Sequence, residues 1–245
     1  MNEPVIDLGV ISAVVLDTDG TVTDTARGHA AAWKHVFDGF LRGRSAPFDV
    51  REDYLQHVDG RPRLEGVRAF LASRGVTVPE GSPDDEPGAP TVHGLGRAKD
   101  ELFMAQVRQH GVAAFPAAVA LLHELRNRGA RTAGVSASMH GRALVAAAGV
   151  MRLFDTVVDG SDAALMNLPG KPDPALPLEA ARRLGVPPSR TAVVESAPAG
   201  VEAARKGGFA LVIGLAPGGA DADMVVRDLS EPVVRGRVPP VTSYP

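Results

Sequence analysis

Asp17 and Asp19 stand one residue apart, after the apolar run Ala13-Val14-Val15-Leu16 and before Gly20-Thr21. Side chains two apart on a strand project to the same face, so the pair would crowd unless the strand ends between them, and Gly20 permits that turn. Farther along, Ser136 closes the stretch Arg131-Thr132-Ala133-Gly134-Val135, and Glu195 closes Thr191-Ala192-Val193-Val194. Lys171 sits in the loop Leu168-Pro169-Gly170-Lys171-Pro172-Asp173-Pro174. Two carboxylates, a hydroxyl and a lysine, without a thiol, suit phosphoryl transfer to an aspartate. A carboxylate is ionised near neutral pH and needs no base to attack phosphorus. It needs its repulsion with a phosphate dianion cancelled. An oxygen-bound Mg2+ ion, Lys171 and backbone N–H groups of the turn after Asp17 are the expected means. The second carboxylate would protonate the leaving alkoxide and later deprotonate the incoming water or hydroxyl.

The elements that must position these groups are legible in the periodicity. An apolar run ending in acid and glycine predicts a buried parallel strand over residues 11–17. An amphipathic helix is expected over Ala30 to Leu41 with Thr25 or Asp24 as its cap, a second near Leu64 to Ser73, and a third over about Lys99 to Gln109. Glu80 to Pro90 reads as a loop. From Pro116 helices alternate with short strands near 131–136, 154–158, 191–195, 209–214 and 224–226, and Ser138 is a candidate helix cap. This alternation predicts a doubly wound α/β parallel sheet of Rossmann-like type, with an all-helical cap inserted after its first strand. The expected domains are a discontinuous core over 1–24 and 112–235, a cap over 25–111, and a mobile Pro-rich tail over 236–245. Ligands of such sheets bind at the carboxyl ends of strands, where Asp17, Asp19, Ser136 and Glu195 all fall.

The composition narrows the function classes. A net charge of −3, without a basic stripe, argues against nucleic acid held by phosphate neutralisation. The absence of cysteine excludes disulfides and thiolate metal sites. No apolar run reaches the ~20 residues of a membrane span, and the stretch Met1 to Asp7 is acidic where a signal peptide would be basic. A cytoplasmic monomer is the expectation.

The pattern Asp17-x-Asp19-Gly20-Thr21, then Ser136, then Lys171-Pro172, then the acid-ended strand at Glu195, resembles the four motifs of the haloacid dehalogenase superfamily. The stretch Thr23-Asp24-Thr25-Ala26-x-x-His29-x-x-Ala32-Trp33-Lys34 and the loop Gly170-Lys171-Pro172-Asp173-Pro174 look like its β-phosphoglucomutase branch. The resemblance implies Asp17 as nucleophile and Asp19 as general acid/base. It implies Mg2+ held by the Asp17 carboxylate, the Asp19 carbonyl, Glu195 and the position of Ser196, with Ser136 and Lys171 on the transferring phosphoryl group. It also implies that Gly20, Thr21 and Ala137 border the phosphate, that Thr25 and His29 position Asp19 when the cap closes, and that Arg63 and Lys99 meet substrate or its distal phosphate from the cap. Ser138 and His140 occupy positions that help bind a distal phosphate in the mutases. Trp33 is read as cap core.

Three departures bear on activity. Ser196 stands where this branch carries an acid, so metal affinity should fall unless Asp159, Asp162 or water compensates; Ser196 would also serve to cap the helix that Pro198 begins. Asp59 lies where the mutases carry a basic residue, and Met139 where Lys or Arg is common. The expectation is a Mg2+-dependent phosphatase of a small sugar or sugar-like phosphate, acting through an aspartyl phosphate. A β-phosphoglucomutase is the alternative that Thr25, His29, Arg63 and Lys99 favour and that Asp59 and Met139 oppose. A degenerate phosphate-binding protein is the third.

Overall fold

A computed structural model describes residues 4–239. Six strands form a parallel sheet in the order β4-β3-β2-β5-β6-β7: β2 is Ala13–Asp17, β3 Arg131–Val135, β4 Thr156–Val158, β5 Thr191–Glu195, β6 Leu211–Leu215 and β7 Met224–Val226. The central strand β2 pairs with β3 on one side and β5 on the other, which brings the ends of three chemically armed strands side by side. All five of its residues are buried. Val14 and Leu16 pack on one face with Leu121, Leu122 and Leu125 of α4 (Pro116–Asn127), and Ala13 and Val15 pack on the other with Leu176, Ala180 and Leu184 of α7 (Ala175–Leu184). Period-two alternation with helices on both faces is why the strand reads as a continuous apolar run.

Between β2 and β3 lies the helical cap: α1 (Ala26–Leu41), α2 (Arg63–Ser73) and α3 (Val92–His110), with a single π-helical turn at Tyr54–Val58. Its interior is a separate apolar cluster, built on Trp33, Phe37, Phe48 and Phe70, with ring centroids 4.2 Å apart for Phe37–Phe70 and 4.9 Å for Trp33–Phe37.

Several expectations are corrected. The sheet strand starts at Ala13 rather than residue 11, because Val5–Asp7 forms its own short strand, β1, paired parallel with β8 (Val233–Arg235). Three-residue strands carry no periodic signal. Helix α3 begins at Val92 rather than near Lys99, since Thr91 Oγ1 accepts from Gly94 N at 2.9 Å and caps it properly despite two glycines in the first turns. Helix α6 (Gly160–Met166) is additional; Asp159 caps it in a capping box with Asp162. Helix α5 (Gly141–Ala147) is capped at His140, and Ser138 Oγ instead accepts from His140 N at 3.2 Å. Of the Pro-rich tail, residues 240–245 lie outside the described residues. Val238 N donates to Arg128 O at 3.0 Å, so the tail's first residues are tied to the end of α4 rather than free. No described helix is long and apolar enough to cross a membrane.

Candidate active site

The carboxyl end of β2 delivers Asp17 into a closed setting. Lys171, with no solvent exposure, donates from Nζ to Asp17 Oδ1 at 2.7 Å and to Glu195 Oε1 at 2.6 Å. Thr21 Oγ1 donates to Asp17 Oδ2 at 3.3 Å. Burial, then the nearby Glu195 carboxylate, push the Asp17 carboxyl well above its ordinary range, with Lys171 pulling against them. Glu195 is likewise raised by burial. Two buried carboxylates therefore share one ammonium.

Asp19 is surrounded by donors. Thr25 Oγ1 donates to Oδ1 at 2.8 Å and Ser136 Oγ donates to Oδ2 at 2.5 Å. His29 Nε2 lies 3.5 Å from Oδ1, and Lys99 Nζ lies 2.7 Å from His29 Nδ1. An ammonium can only donate, so Nδ1 accepts and the remaining ring proton sits on Nε2, facing Asp19. Burial, then Lys99, lower the His29 pKa, and burial lowers Lys99 to about 8, which keeps the imidazole neutral. Burial alone would push Asp19 upward; the His29, Ser136 and Thr25 hydrogen bonds overcome it and hold the carboxyl well below the usual range. Thr25 precedes α1 at its cap position but makes no capping bond, because its hydroxyl is committed to Asp19.

The walls come from both the sheet end and the cap: Ala137, Ser138 and Met139 follow β3, while Asp59, Gly60, Arg61, Arg63, Lys99 and Asp100 come from the cap. Gly60 has φ +71°, and a Cβ there would stand 2.8 Å from Ala197 Cβ, so a glycine is what lets the Asp59–Gly60 turn close onto the loop after β5. Burial, then the Asp17 carboxylate, push Asp59 up to about 7. Arg63, expected to meet substrate or its distal phosphate, and His140, expected near that phosphate, converge on Asp100: Arg63 Nη1 and His140 Nε2 each lie 2.9 Å from its Oδ2. Asp100 escaped the sequence reading because a charged residue beside Lys99 on a helix carries no sign of which way it faces. Trp33 is buried in the cap interior and also borders the cavity.

Two further expectations change. In the turn after Asp17 the N–H groups of Thr18 and Gly20 are engaged by Val135 O and Thr23 O, each at 2.9 Å, which leaves those of Asp19 and Thr21 for an anion. Asp159 and Asp162 are structural: Asp159 accepts from Arg142 N as well as capping α6, and Asp162 pairs with Arg142 and Arg183. They are not near-site substitutes for a missing acid. Ser196 does not cap α8 (Pro198–Lys206), whose cap position is Ala197; its Oγ donates to Asp19 O at 3.4 Å.

Among the described residues no three His, Asp or Glu side chains form a metal cluster by themselves. The donors nevertheless fit Mg2+. Asp17, the Asp19 carbonyl, Glu195 and Ser196 are all hard oxygens, and Ser196 Oγ already touches the Asp19 carbonyl. Glu195 Oε2 is buried without a hydrogen-bond partner, and the Asp17–Glu195 pair is short of positive charge. A Cβ on Gly200 of α8 would stand 2.1 Å from Glu195 Cδ, so that glycine is what makes room for the carboxylate.

A parallel sheet presenting paired aspartates, a lysine and a glutamate to an inserted helical cap defines an aspartate-centred α/β hydrolase. The chain belongs to the haloacid dehalogenase-like hydrolases, whose family model matches residues 11–208, and within them to the β-phosphoglucomutase-like branch. It is 39% identical over 238 residues to a β-phosphoglucomutase of Mycobacterium bovis, covering 90% of this chain and 91% of that protein. It is 27% identical over 230 residues to the validoxylamine A 7'-phosphate phosphatase of Streptomyces hygroscopicus subsp. limoneus, covering 89% and 93%. Among solved structures, CbbY from Rhodobacter sphaeroides in complex with xylulose-(1,5)bisphosphate superposes with a TM-score of 0.67 at 27% identity, over 90% of this chain and 96% of that one.

Proposed function

We propose that the chain is a Mg2+-dependent phosphatase of a small sugar or sugar-like phosphate, with Asp17 as the nucleophile and Asp19 as the general acid/base. The observation that carries this reading is the division of labour between two aspartates in one cavity. Asp17 is held at Oδ1 by Lys171 and at Oδ2 only by Thr21 at 3.3 Å, whereas Asp19 is immobilised by Thr25, Ser136 and the His29 imidazole. Asp17 Oδ attacks phosphorus, the P–O bond to the sugar breaks, and the aspartyl phosphate forms. Asp19 supplies the proton to the departing alkoxide and then withdraws one from the water that attacks the aspartyl phosphate. Bound at Asp17, the Asp19 carbonyl, Glu195 and Ser196, Mg2+ would neutralise charge on the phosphoryl oxygens. Lys171 adds its own charge and keeps Asp17 aimed. The donors on Asp19 favour its ionised form, the form that takes a proton from the attacking water; the acid role uses the protonated form, which a substrate phosphate dianion bound beside the carboxylate favours.

Residues 25–111 are the cap that excludes bulk water, and 1–24 with 112–235 the catalytic core. The relatives' names, β-phosphoglucomutase and a sugar-derived phosphate phosphatase, support a phosphorylated carbohydrate as substrate. The mutase is the second reading, favoured by the Lys99–His29–Asp19 chain, which ties a cap lysine to the acid/base; there a sugar hydroxyl replaces the water.

Incubation with a panel of hexose and pentose monophosphates, in Mg2+ and in chelator, tests the reading. Metal-dependent phosphate release that Asp17→Asn abolishes is expected. Isomerised sugar phosphate without free phosphate would establish the mutase instead.

A further inference from the structure

Asp100 occupies the cap end of the active-site cavity, beyond Lys99 and His29. Its Oδ2 receives Arg63 from α2 and His140 from the loop leading into α5, so one carboxylate takes up both the arginine and the histidine. Although burial works against it, the His140 and Arg63 contacts hold Asp100 in its ionised form. Among the described residues Asp100 Oδ1 has no hydrogen-bond partner, and it remains available to accept from a hydroxyl.

The charge around the cavity points the same way. Asp17, Asp19 and Asp100 line it against Arg61, Arg63 and Lys99, so the wall holds no surplus of positive charge. One phosphate finds compensation at Lys171 and the Mg2+ expected beside it. A second dianion would meet Asp100 with Arg63 already committed to it. Past Met139 the wall is mostly apolar: a second cavity of about 290 Å³ shares Arg63, Ala137 and Met139 with the first and continues along Pro62, Leu64 and Leu168, with Glu65 and an Arg68 paired to Glu80 also in its lining. That size approaches the lower end of small-molecule sites, roughly 300 Å³.

We propose that Asp100 is a specificity-determining residue that makes the distal subsite a place for neutral sugar hydroxyls, so that the enzyme takes singly phosphorylated sugars and rejects bisphosphates. The proposal rests on the reading that a phosphate seats at Asp17.

The test is calorimetric titration of the full-length Asp17→Asn chain, in saturating Mg2+, with matched pairs: glucose 1-phosphate against glucose 1,6-bisphosphate, and fructose 6-phosphate against fructose 1,6-bisphosphate. The bisphosphate is expected to bind no tighter than its monophosphate. Adding Asp100→Asn, or separately Asp100→Ser, is expected to shift the ratio toward the bisphosphate at least tenfold, with the melting temperature of each variant as the control for folding. A bisphosphate tenfold tighter before Asp100 is changed, a ratio unmoved by both substitutions, or no binding by any member of either pair would overturn the proposal. Because binding is read without turnover, a failure to release phosphate in the assay above would sink the phosphatase reading and leave a shifted ratio standing.

Discussion

Lys171 Nζ lies 2.6 Å from Glu195 Oε1 and, from the same ammonium, 2.7 Å from Asp17 Oδ1. A loop lysine is ordinarily solvated; this one is fully buried because two strand-end carboxylates, on the adjacent strands β2 and β5, converge on it. Its removal would leave two buried carboxylates facing each other. Uncompensated buried charge of this kind costs about 3–5 kcal/mol. Lys171→Met is therefore expected to lower the melting temperature by ~10 °C in chelator, and Mg2+ to restore part of the loss. Differential scanning calorimetry with and without the ion reads this directly; equal loss in both conditions would contradict the assignment of Asp17 and Glu195 as joint ligands.

Ser196 reaches the Asp19 carbonyl but brings no charge. Ser196→Asp is expected to raise Mg2+ affinity by roughly tenfold or more, by the added carboxylate ligand, and to lower stability in chelator, where a further acid joins a site short of cations. Titration calorimetry with Mg2+ alone measures the first effect. An unchanged dissociation constant would place the metal away from Ser196.

The Asp19 carboxyl is held low by His29, Ser136 and Thr25 against the effect of burial. Thr25→Val removes one donor to a charged acceptor, worth about 1.5–3 kcal/mol. The Asp19 pKa should then rise, so the acid limb of the kcat profile, set by Asp19 as the base in hydrolysis of the aspartyl phosphate, moves to higher pH while kcat at neutral pH falls by ~10-fold or more. A profile that keeps its acid limb in place would show that Asp19 is not the group being titrated.

Asp59 has the opposite sign. Its carboxyl, ordinarily near 3.8, is pushed up to about 7 by burial and then by Asp17. Between about pH 4 and 7 the unfolded chain has released this proton and the folded chain has not, so stability falls as pH rises through that window. Asp59→Asn should remove this component of the slope: the variant gains melting temperature over the parent at pH 8 and little at pH 4. Parallel melting curves across the range would rule out Asp59 as the source.

The strand-end chemistry was legible in the sequence because it rests on local pattern. Apolar runs over Ala13–Leu16 and Thr191–Val194 close in acids, and a parallel sheet aligns such ends whatever the connecting segments contain. The four motifs placed Asp17, Asp19, Ser136, Lys171 and Glu195 together for the same reason. The inserted helical cap followed from the long gap between the first two strands of the sheet. What periodicity could not carry was direction. That Ser136 turns onto Asp19 and that Asp159 and Asp162 serve α6 and its arginines are outcomes of competition among nearby donors, settled only when the elements pack. Asp100 is the clearest case. One helical position among many charged ones, it acquires meaning only when α2, α3 and the loop before α5 bring Arg63 and His140 to the same carboxylate oxygen. Sequence determined which strands and motifs carry the chemistry, since those depend on neighbours in the chain; tertiary structure decided which hydrogen bonds and charges survive, since those depend on residues more than a hundred positions apart, as Ser136 is from Asp19.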